Sequence, residues 1–370
     1  MPDVLIVADT LRSPELRHEV PVAIGDPFVY LECDGARHIF VSSFEIPRLQ
    51  GLDDVTIGPF EVLGIDELIA SGMSWHEMDP ELALRACRKL ELRDAVVPPK
   101  FPVDIADHLR ENGVALTVDR GLFETRRRSK NAAELAGVRR AQRSCERAMD
   151  GVRDALRAGP GVTCEELQAR VLQTFAAQGV LAEDVPIVSH GPQTAIGHEV
   201  GYGPIEPGEA VVVDLFPRDT VSGCFADMTR TFCVGEPPPE LVEYHRLCRE
   251  VLDRAIESVR PGVTGADLHR QACELFEAHG HPTQLTKRPG VPLSEGFHHS
   301  LGHGVGLGVH EPPWLHLIGT DPLVPGDVLA IEPGLYRPGF GGCRLEDLVL
   351  VTEDGCQVLT DFPYDLAADL

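Results

Sequence analysis

The sequence predicts an α/β domain over residues 1–125 followed by an α+β domain over residues 126–370 that is built from a duplicated unit. Three observations lead there. Short apolar runs alternate with helical periods in the first third, a capped amphipathic helix opens the remainder, and three stretches of that remainder recur in the same order. At 370 residues and 43% apolar content, the chain has material for two cores rather than one.

In the first domain, 4–7, 29–32 and 38–42 read as strands. The last two are joined by Asp34-Gly35, a dipeptide that accepts the positive φ angles of a tight hairpin. Helical periods follow near 64–71 and 80–92. Strand 95–97, a Pro-led helix over 102–112 that stops at Gly113, and strand 114–118 complete the alternation.

The second domain opens with Asn131 and Glu134 at capping-box spacing. Leu135, Val138, Cys145, Met149, Val152 and Leu156 then share one helical face. The repeat follows. Pro160-Gly-Val-Thr163, with Glu166-Leu167 and an end at Gly179, returns as Pro261-Gly-Val-Thr264, with Asp267-Leu268 and an end at Gly280, which predicts two capped helices of equal length. The run from Gly197-His198 to Gly203 returns as Gly302-His303 to Gly308. Pro207-Gly208 with the apolar run ending at Asp214 returns as Pro325-Gly326 with the run ending at Glu332.

Composition excludes several classes of function. A formal charge of -25 repels phosphate backbones, and no basic run exceeds Arg126, Arg127 and Arg128, so nucleic acid is not an expected partner. No stretch approaches the ~20 apolar residues of a membrane helix, and Met1-Pro2-Asp3 lacks the basic start of a signal peptide, so a cytoplasmic protein off the membrane is expected. Ten cysteines without a CxxC pair read as free thiols in a reducing compartment.

Each repeat carries a hairpin with an acid on each arm. Asp214 and Asp227 flank the turn around 219–223, and Glu332 and Glu346 flank the turn around 337–342. Neighbouring strands bring such pairs together. Four carboxylates in an apolar sheet repel one another and take up protons, a conflict that two divalent cations remove. With His303 the set is four oxygen ligands and one imidazole, suited to manganese, cobalt, iron or zinc and lacking the thiolates of a structural zinc site. Two metals ~3.5–4 Å apart activate a shared water and clamp a tetrahedral intermediate, so the expected reaction is metal-assisted hydrolysis of an amide. His198, His299 and His310 are candidate catalytic imidazoles that donate to a substrate carbonyl.

Other residues have plainer readings. Cys224 and Cys343 each stand three residues before a ligand acid, an offset that turns them to the other sheet face and into packing. Arg344, at an even offset from Glu346, faces either a carboxylate of the centre or a substrate carboxyl group. His298 and His316 read as structural. The glycine-rich run 302–308 lacks the Lys-Ser/Thr of a phosphate loop and reads as close backbone packing.

At this point a family resemblance emerges. Asp214 in a strand, Asp227-Met-Thr-Arg-Thr-Phe232, His299-Ser-Leu-Gly-His303-Gly-Val-Gly306 through His310-Glu311-Pro312-Pro313, Ile331-Glu332-Pro333-Gly334 and Arg344-Leu-Glu346-Asp347 resemble the prolidase, aminopeptidase P and methionine aminopeptidase family. Lys130-Asn-Ala-Ala-Glu134 is similar to the helix that opens the catalytic domain in its proline-directed members. The fold this implies is a creatinase-like α/β N-terminal domain before a duplicated α+β "pita-bread" catalytic domain.

The resemblance also implies roles. Asp214 would chelate one metal, His303 and Glu332 would hold the other, and Asp227 and Glu346 would bridge both, with manganese ahead of cobalt, zinc or iron. His198, His299 and His310 would contact substrate and Glu332 would receive a proton, while Arg344 joins the substrate-binding candidates on its offset from Glu346 alone. The implied activity is that of an Xaa-Pro metallopeptidase of the aminopeptidase P type, cleaving before proline in second position with a dimetal-bridged hydroxide. An Xaa-Pro dipeptidase is the alternative, and a metal-independent creatinase-like amidinohydrolase or a non-enzymatic binding module are rivals that the retained ligand set disfavours. A homodimer is also implied. Two positions depart from the family pattern: Phe216 where glycine is usual and Cys224 where tyrosine is usual.

Overall fold

The structure is a computed structural model describing residues 2–159 and 161–367; Met1 and Pro160, both used above, lie outside them. The chain divides into two compact units, residues 1–127 and 128–370.

The first unit carries a six-stranded sheet of β1 (Val4–Ala8), β2 (Phe28–Cys33), β3 (Ala36–Val41), β4 (Val55–Pro59), β5 (Asp94–Val97) and β6 (Ala115–Val118), in the order β4-β3-β2-β1-β5-β6. Asp34 (φ 52°) and Gly35 (φ 79°) close the expected hairpin, with Cys33 opposite Ala36. Strand β1 is buried on both faces. Leu5 and Val7 pack into one apolar cluster, Val4 and Ile6 into another. Helices α1 (Pro14–Glu19), α2 (Ile46–Leu49), α3 (Ile65–Ala70), α4 (Trp75–Lys89), α5 (Val103–Glu111) and α6 (Arg120–Arg128) accompany the sheet. Four of these elements go unannounced in the sequence: β4, whose Gly58 and Pro59 disguise an edge strand, the helices α1 and α2, too short to show a period, and α6. The sequence pattern also starts α4 late, because Pro80 lies inside a helix whose capping box is Ser74 and Glu77.

The second unit opens with α7 (Ala132–Arg157). Asn131 Oδ1 accepts the Ala133 and Glu134 amides, and the Glu134 carboxylate accepts the Asn131 amide. Val138, Cys145, Met149, Val152 and Leu156 are buried on its inner face, while Leu135 is only partly covered. The repeated helices are α8 (Cys164–Gln178) and, after α9 (Pro239–Ser258), α10 (Gly265–Ala278), started by the capping boxes Thr163/Glu166 and Thr264/Asp267. They differ by one residue in length. Gly179 caps α8 at φ 73°, whereas α10 ends at His279 and Gly280 follows at φ 84°.

The strands of this unit are β7 (Val180–Leu181), β8 (Ile187–His190), β9 (Ala210–Leu215), β10 (Arg218–Asp219), β11 (Met228–Cys233), β12 (Gly302–Gly304), β13 (Glu311–Leu315), β14 (Val328–Ile331), β15 (Gly334–Arg337), β16 (Gly341–Arg344), β17 (Asp347–Val351) and β18 (Cys356–Val358). One sheet runs β11-β9-β8 and a larger one β13-β12-β14-β17-β18. The duplication shows in the central strands: β9 pairs antiparallel with β11, and β14 with β17. Alternate β14 side chains divide between two cores, Val328 and Ala330 against α7 and α8, Leu329 and Ile331 against α9 and α10.

The two copies diverge at the glycine-rich run. Residues 302–304 form β12 between β13 and β14, whereas 197–203 form turns that meet β8 through the Val188 amide and the Val200 carbonyl at 2.9 Å. The 3-10 turn over Gly191–Ala195, which begins with a proline at its second position, takes the first copy out of the strand conformation. All ten cysteines are free, and no helix among the described residues is long and apolar enough to cross a membrane.

Candidate metal centre

The strand ends bring the acids together. Asp214 lies near the end of β9 and Asp227 immediately precedes β11; Glu332 immediately follows β14 and Glu346 immediately precedes β17. Pairing of Leu215 with Met228 and of Ile331 with Asp347 holds each pair at the same end of its ladder. Asp214, Asp227 and Glu346 offer carboxylate oxygens that all lie within 4.8 Å of one another. His303, in the middle of β12, places Nε2 3.8 Å from Asp227 Oδ2 and 3.8 Å from Glu332 Oε1.

Burial and like charge act on these groups in the same direction. Burial first, then the charges of Glu346 and Asp214, hold the Asp227 carboxyl well above the usual range. Burial, then Asp214 and Glu332, do the same to Glu346. Burial outweighs the nearby Arg344 cation at Glu332 and pushes that carboxyl up to about 7. Burial lowers His303 to about 3, so the imidazole is neutral and ready to be a ligand. Asp214 Oδ1 is buried with no hydrogen-bond partner, although Oδ2 of the same group accepts from Arg344 Nη2 at 2.5 Å. A cluster of acids and one imidazole, held protonated or unpaired when bare, fits divalent cations in place of those protons.

The other expected site residues fall in three settings. His310 is exposed, groups with Asp227 and His303, and sets its ring edge-on to His303 with centroids 4.3 Å apart. Lys130 pairs with Glu311, the residue after His310, and both are buried. His198 stands exposed in its turn, near enough for its charge to disfavour a charged His310. His299 is half-buried and its ring is already engaged. Nδ1 lies 2.7 Å from the Ser300 carbonyl, which only accepts, so Nδ1 carries the proton and Nε2 accepts from the Tyr336 hydroxyl at 3.0 Å.

Arg344 faces a carboxylate of the centre, Asp214, rather than open space. Its Nη1 also donates to Tyr336 Oη at 3.2 Å and to the Gly197 carbonyl at 3.3 Å. Cys224 and Cys343 are fully buried in the two apolar cores.

Three supporting residues escaped the sequence reading. Tyr336 is fully buried between His299 and Arg344, and nothing local marks a hairpin tyrosine for that place. Thr229 donates to Glu346 Oε2 at 2.8 Å; its position two residues after Asp227 was the available signal. Arg230, 1% exposed, donates to the carbonyls of Glu346 at 2.7 Å and Phe362 at 3.0 Å and pairs with Asp347 at 2.9 Å, which fastens the C-terminal segment behind Glu346.

Comparison with known proteins agrees with this geometry. The model of metallopeptidase family M24 matches residues 136–353. The probable dipeptidase PepE of Mycobacterium bovis is 33% identical over 273 residues, covering 73% of this chain and 68% of that protein. Two solved structures share the fold: the prolidase from Pyrococcus horikoshii OT3 (TM-score 0.80, 24% identity, 99% of this chain and 95% of that one) and the X-Pro aminopeptidase from Thermotoga maritima MSB8 (TM-score 0.80, 22% identity, 98% and 97%). Since the matched stretch takes in Asp214, Asp227, His303, Glu332 and Glu346 as well as both copies of the repeat, the chain belongs to metallopeptidase family M24.

Proposed function

We propose that the protein is an Xaa-Pro aminopeptidase of the aminopeptidase P type, releasing the N-terminal residue of peptides with proline second. The observation that carries this reading is the convergence of three buried carboxylates, the partly buried Glu332 and a neutral imidazole from both halves of the repeat. The proline preference is supported by the names of the solved structures with this fold, prolidase and X-Pro aminopeptidase.

In this reading Asp214 would hold one metal, His303 and Glu332 would hold the other, and Asp227 and Glu346 would serve both; manganese is the proposed ion. Bound metals supply Lewis acidity and an activated water. The protein's own groups do the rest. Glu332, whose Oε1 lies 3.8 Å from His303 Nε2 at the edge of the cluster, would receive the proton released in hydrolysis and return it. His198 and His310, exposed beside the cluster, donate hydrogen bonds to the substrate carbonyl as it gains negative charge. His299 works through Tyr336, and so through Arg344, which holds Asp214 in orientation.

A second reading, an Xaa-Pro dipeptidase, is favoured by the PepE and prolidase relatives. Stripped protein reloaded with manganese, cobalt or zinc and given Ala-Pro, Ala-Pro-Ala and Ala-Ala-Ala separates the two. Cleavage of the proline tripeptide is expected. Cleavage of the dipeptide alone establishes the second reading, and silence with every metal overturns both. A cytoplasmic homodimer completes the proposal, and sedimentation as a 40.3 kDa species at micromolar concentration overturns the dimer.

A further inference from the structure

The turn that carries His198 has no ladder to hold it, unlike β12 with His303. Beyond two backbone bonds, from the Val188 amide to the Val200 carbonyl and from the Cys164 amide to the Gly203 carbonyl, its fastening is made by side chains. Gln168 Nε2 donates to the Val200 carbonyl at 2.8 Å. Gly201, at φ 90°, lies so close to β8 that a Cβ there would stand 1.9 Å from the Val188 carbonyl oxygen. Gln193 then grips Tyr202 at both ends of its backbone, accepting from the amide at 3.1 Å and donating to the carbonyl at 2.9 Å.

A second donor reaches that same carbonyl. His190, the last residue of β8 and paired in register with Val211 of β9, directs Nε2 to Tyr202 O at 3.1 Å and Nδ1 to Glu209 Oε2 at 2.6 Å. Both partners are acceptors, and the imidazole bridges the turn to a carboxylate one residue before β9. His190 is 9% exposed, so these contacts are largely sheltered from competing water. Strand β9 carries Asp214, and at the other end of the turn Arg344 donates both to the Gly197 carbonyl and to Asp214. His198 therefore sits between two anchors that both lead back to β9.

We propose that His190 and Glu209 form a latch that positions His198 over the centre, a role resting on the reading of His198 as a substrate contact. Neither residue touches the ligand cluster or substrate; both act through the backbone of 196–203. Loss of the latch leaves the fold and the metal ligands in place and lets His198 wander.

Two readouts on full-length, metal-loaded protein test this, only one of which depends on turnover. In His190→Ala, amide hydrogen exchange should quicken across 196–203 and nowhere near β12, with calorimetric metal affinity unchanged. The kcat/KM for Ala-Pro-Ala should fall about tenfold, in the range that misplacement of one contact produces. Added to His198→Ala, the same change should have little further effect, since both remove one function. Glu209→Ala should reproduce the exchange result, and Glu209→Gln, which keeps an acceptor, should restore much of it. Unchanged exchange in His190→Ala and Glu209→Ala overturns the latch, as does a full additional loss on the His198→Ala background. If His198→Ala alone keeps wild-type kcat/KM, or wild type cleaves no peptide, the substrate reading fails and the positioning role with it. Exchange still reports separately whether the latch holds the turn.

Discussion

Replacing Glu332 by Gln should stabilise the metal-free protein while abolishing turnover. The carboxyl is moved by burial from its ordinary 4.5 to about 7, so the folded protein binds its proton more tightly than the unfolded chain does. The sign follows from linkage: a raised acid favours folding below its unfolded pKa, and that advantage disappears as pH rises through the folded value. At pH 8 the ionised group costs the fold roughly 3 kcal/mol, whereas at pH 5 the cost shrinks below ~1 kcal/mol. Glutamine has no charge to bury. In protein stripped with chelator, Glu332→Gln should melt roughly 5–10 °C above wild type at pH 8 and close to it at pH 5. Comparing the two proteins at each pH cancels the contribution of the buried histidines, which changes in the opposite sense as they charge in acid. Metal reverses the order. A ligand at 100 times its Kd adds ~2.7 kcal/mol to wild type and less to a variant missing one carboxylate. A variant that melts below wild type at pH 8 without metal, or an offset equal at both pH values, refutes the reasoning.

Further outcomes follow from the same contacts. Asp227→Asn and Glu346→Gln should each abolish metal uptake by calorimetry and peptide cleavage together while circular dichroism stays native, because both groups sit among the other ligands; full activity in either removes its assignment to both metals. Arg230→Met leaves the buried Asp347 without its cation, so chemical denaturation should show a loss of about 3–5 kcal/mol, and an unchanged midpoint counts against the clamp behind Glu346. Arg344→Lys should lose about tenfold or more in kcat/KM, since an ammonium cannot bind Asp214, Tyr336 and the Gly197 carbonyl at once as the guanidinium fork does. Wild-type kinetics in that variant would show the fork to be dispensable.

Much of the fold was legible in the chain because it is encoded by short-range patterns. Capping boxes at 131/134, 163/166 and 264/267 need only a spacing of three, and all three open the helices expected of them. The apolar face of α7 needs only the helical period. The hairpin at Asp34-Gly35 needs only residues tolerant of positive φ. The repeat doubled each of these signals in the second unit, and it drew attention to Asp214 and Glu332 at matched strand ends. Its limit shows at His198 and His303, which share a motif but not a conformation: one copy joins a sheet and the other is turned aside after β8.

The sequence by itself determined the two-part architecture and the duplicated unit, and it singled out the five residues proposed to hold a pair of cations, all through spacings the backbone geometry makes periodic. Only the tertiary structure decided what each charge faces. Arg344 could have met a substrate carboxyl group, yet it meets Asp214 across a separation of 130 residues; Tyr336 enters between it and His299, and His190 reaches Glu209 and Tyr202. Such partnerships depend on how two sheets and their turns come to rest against one another. No local period records that arrangement, because the free energy selecting it comes from burying side chains of both repeats at once.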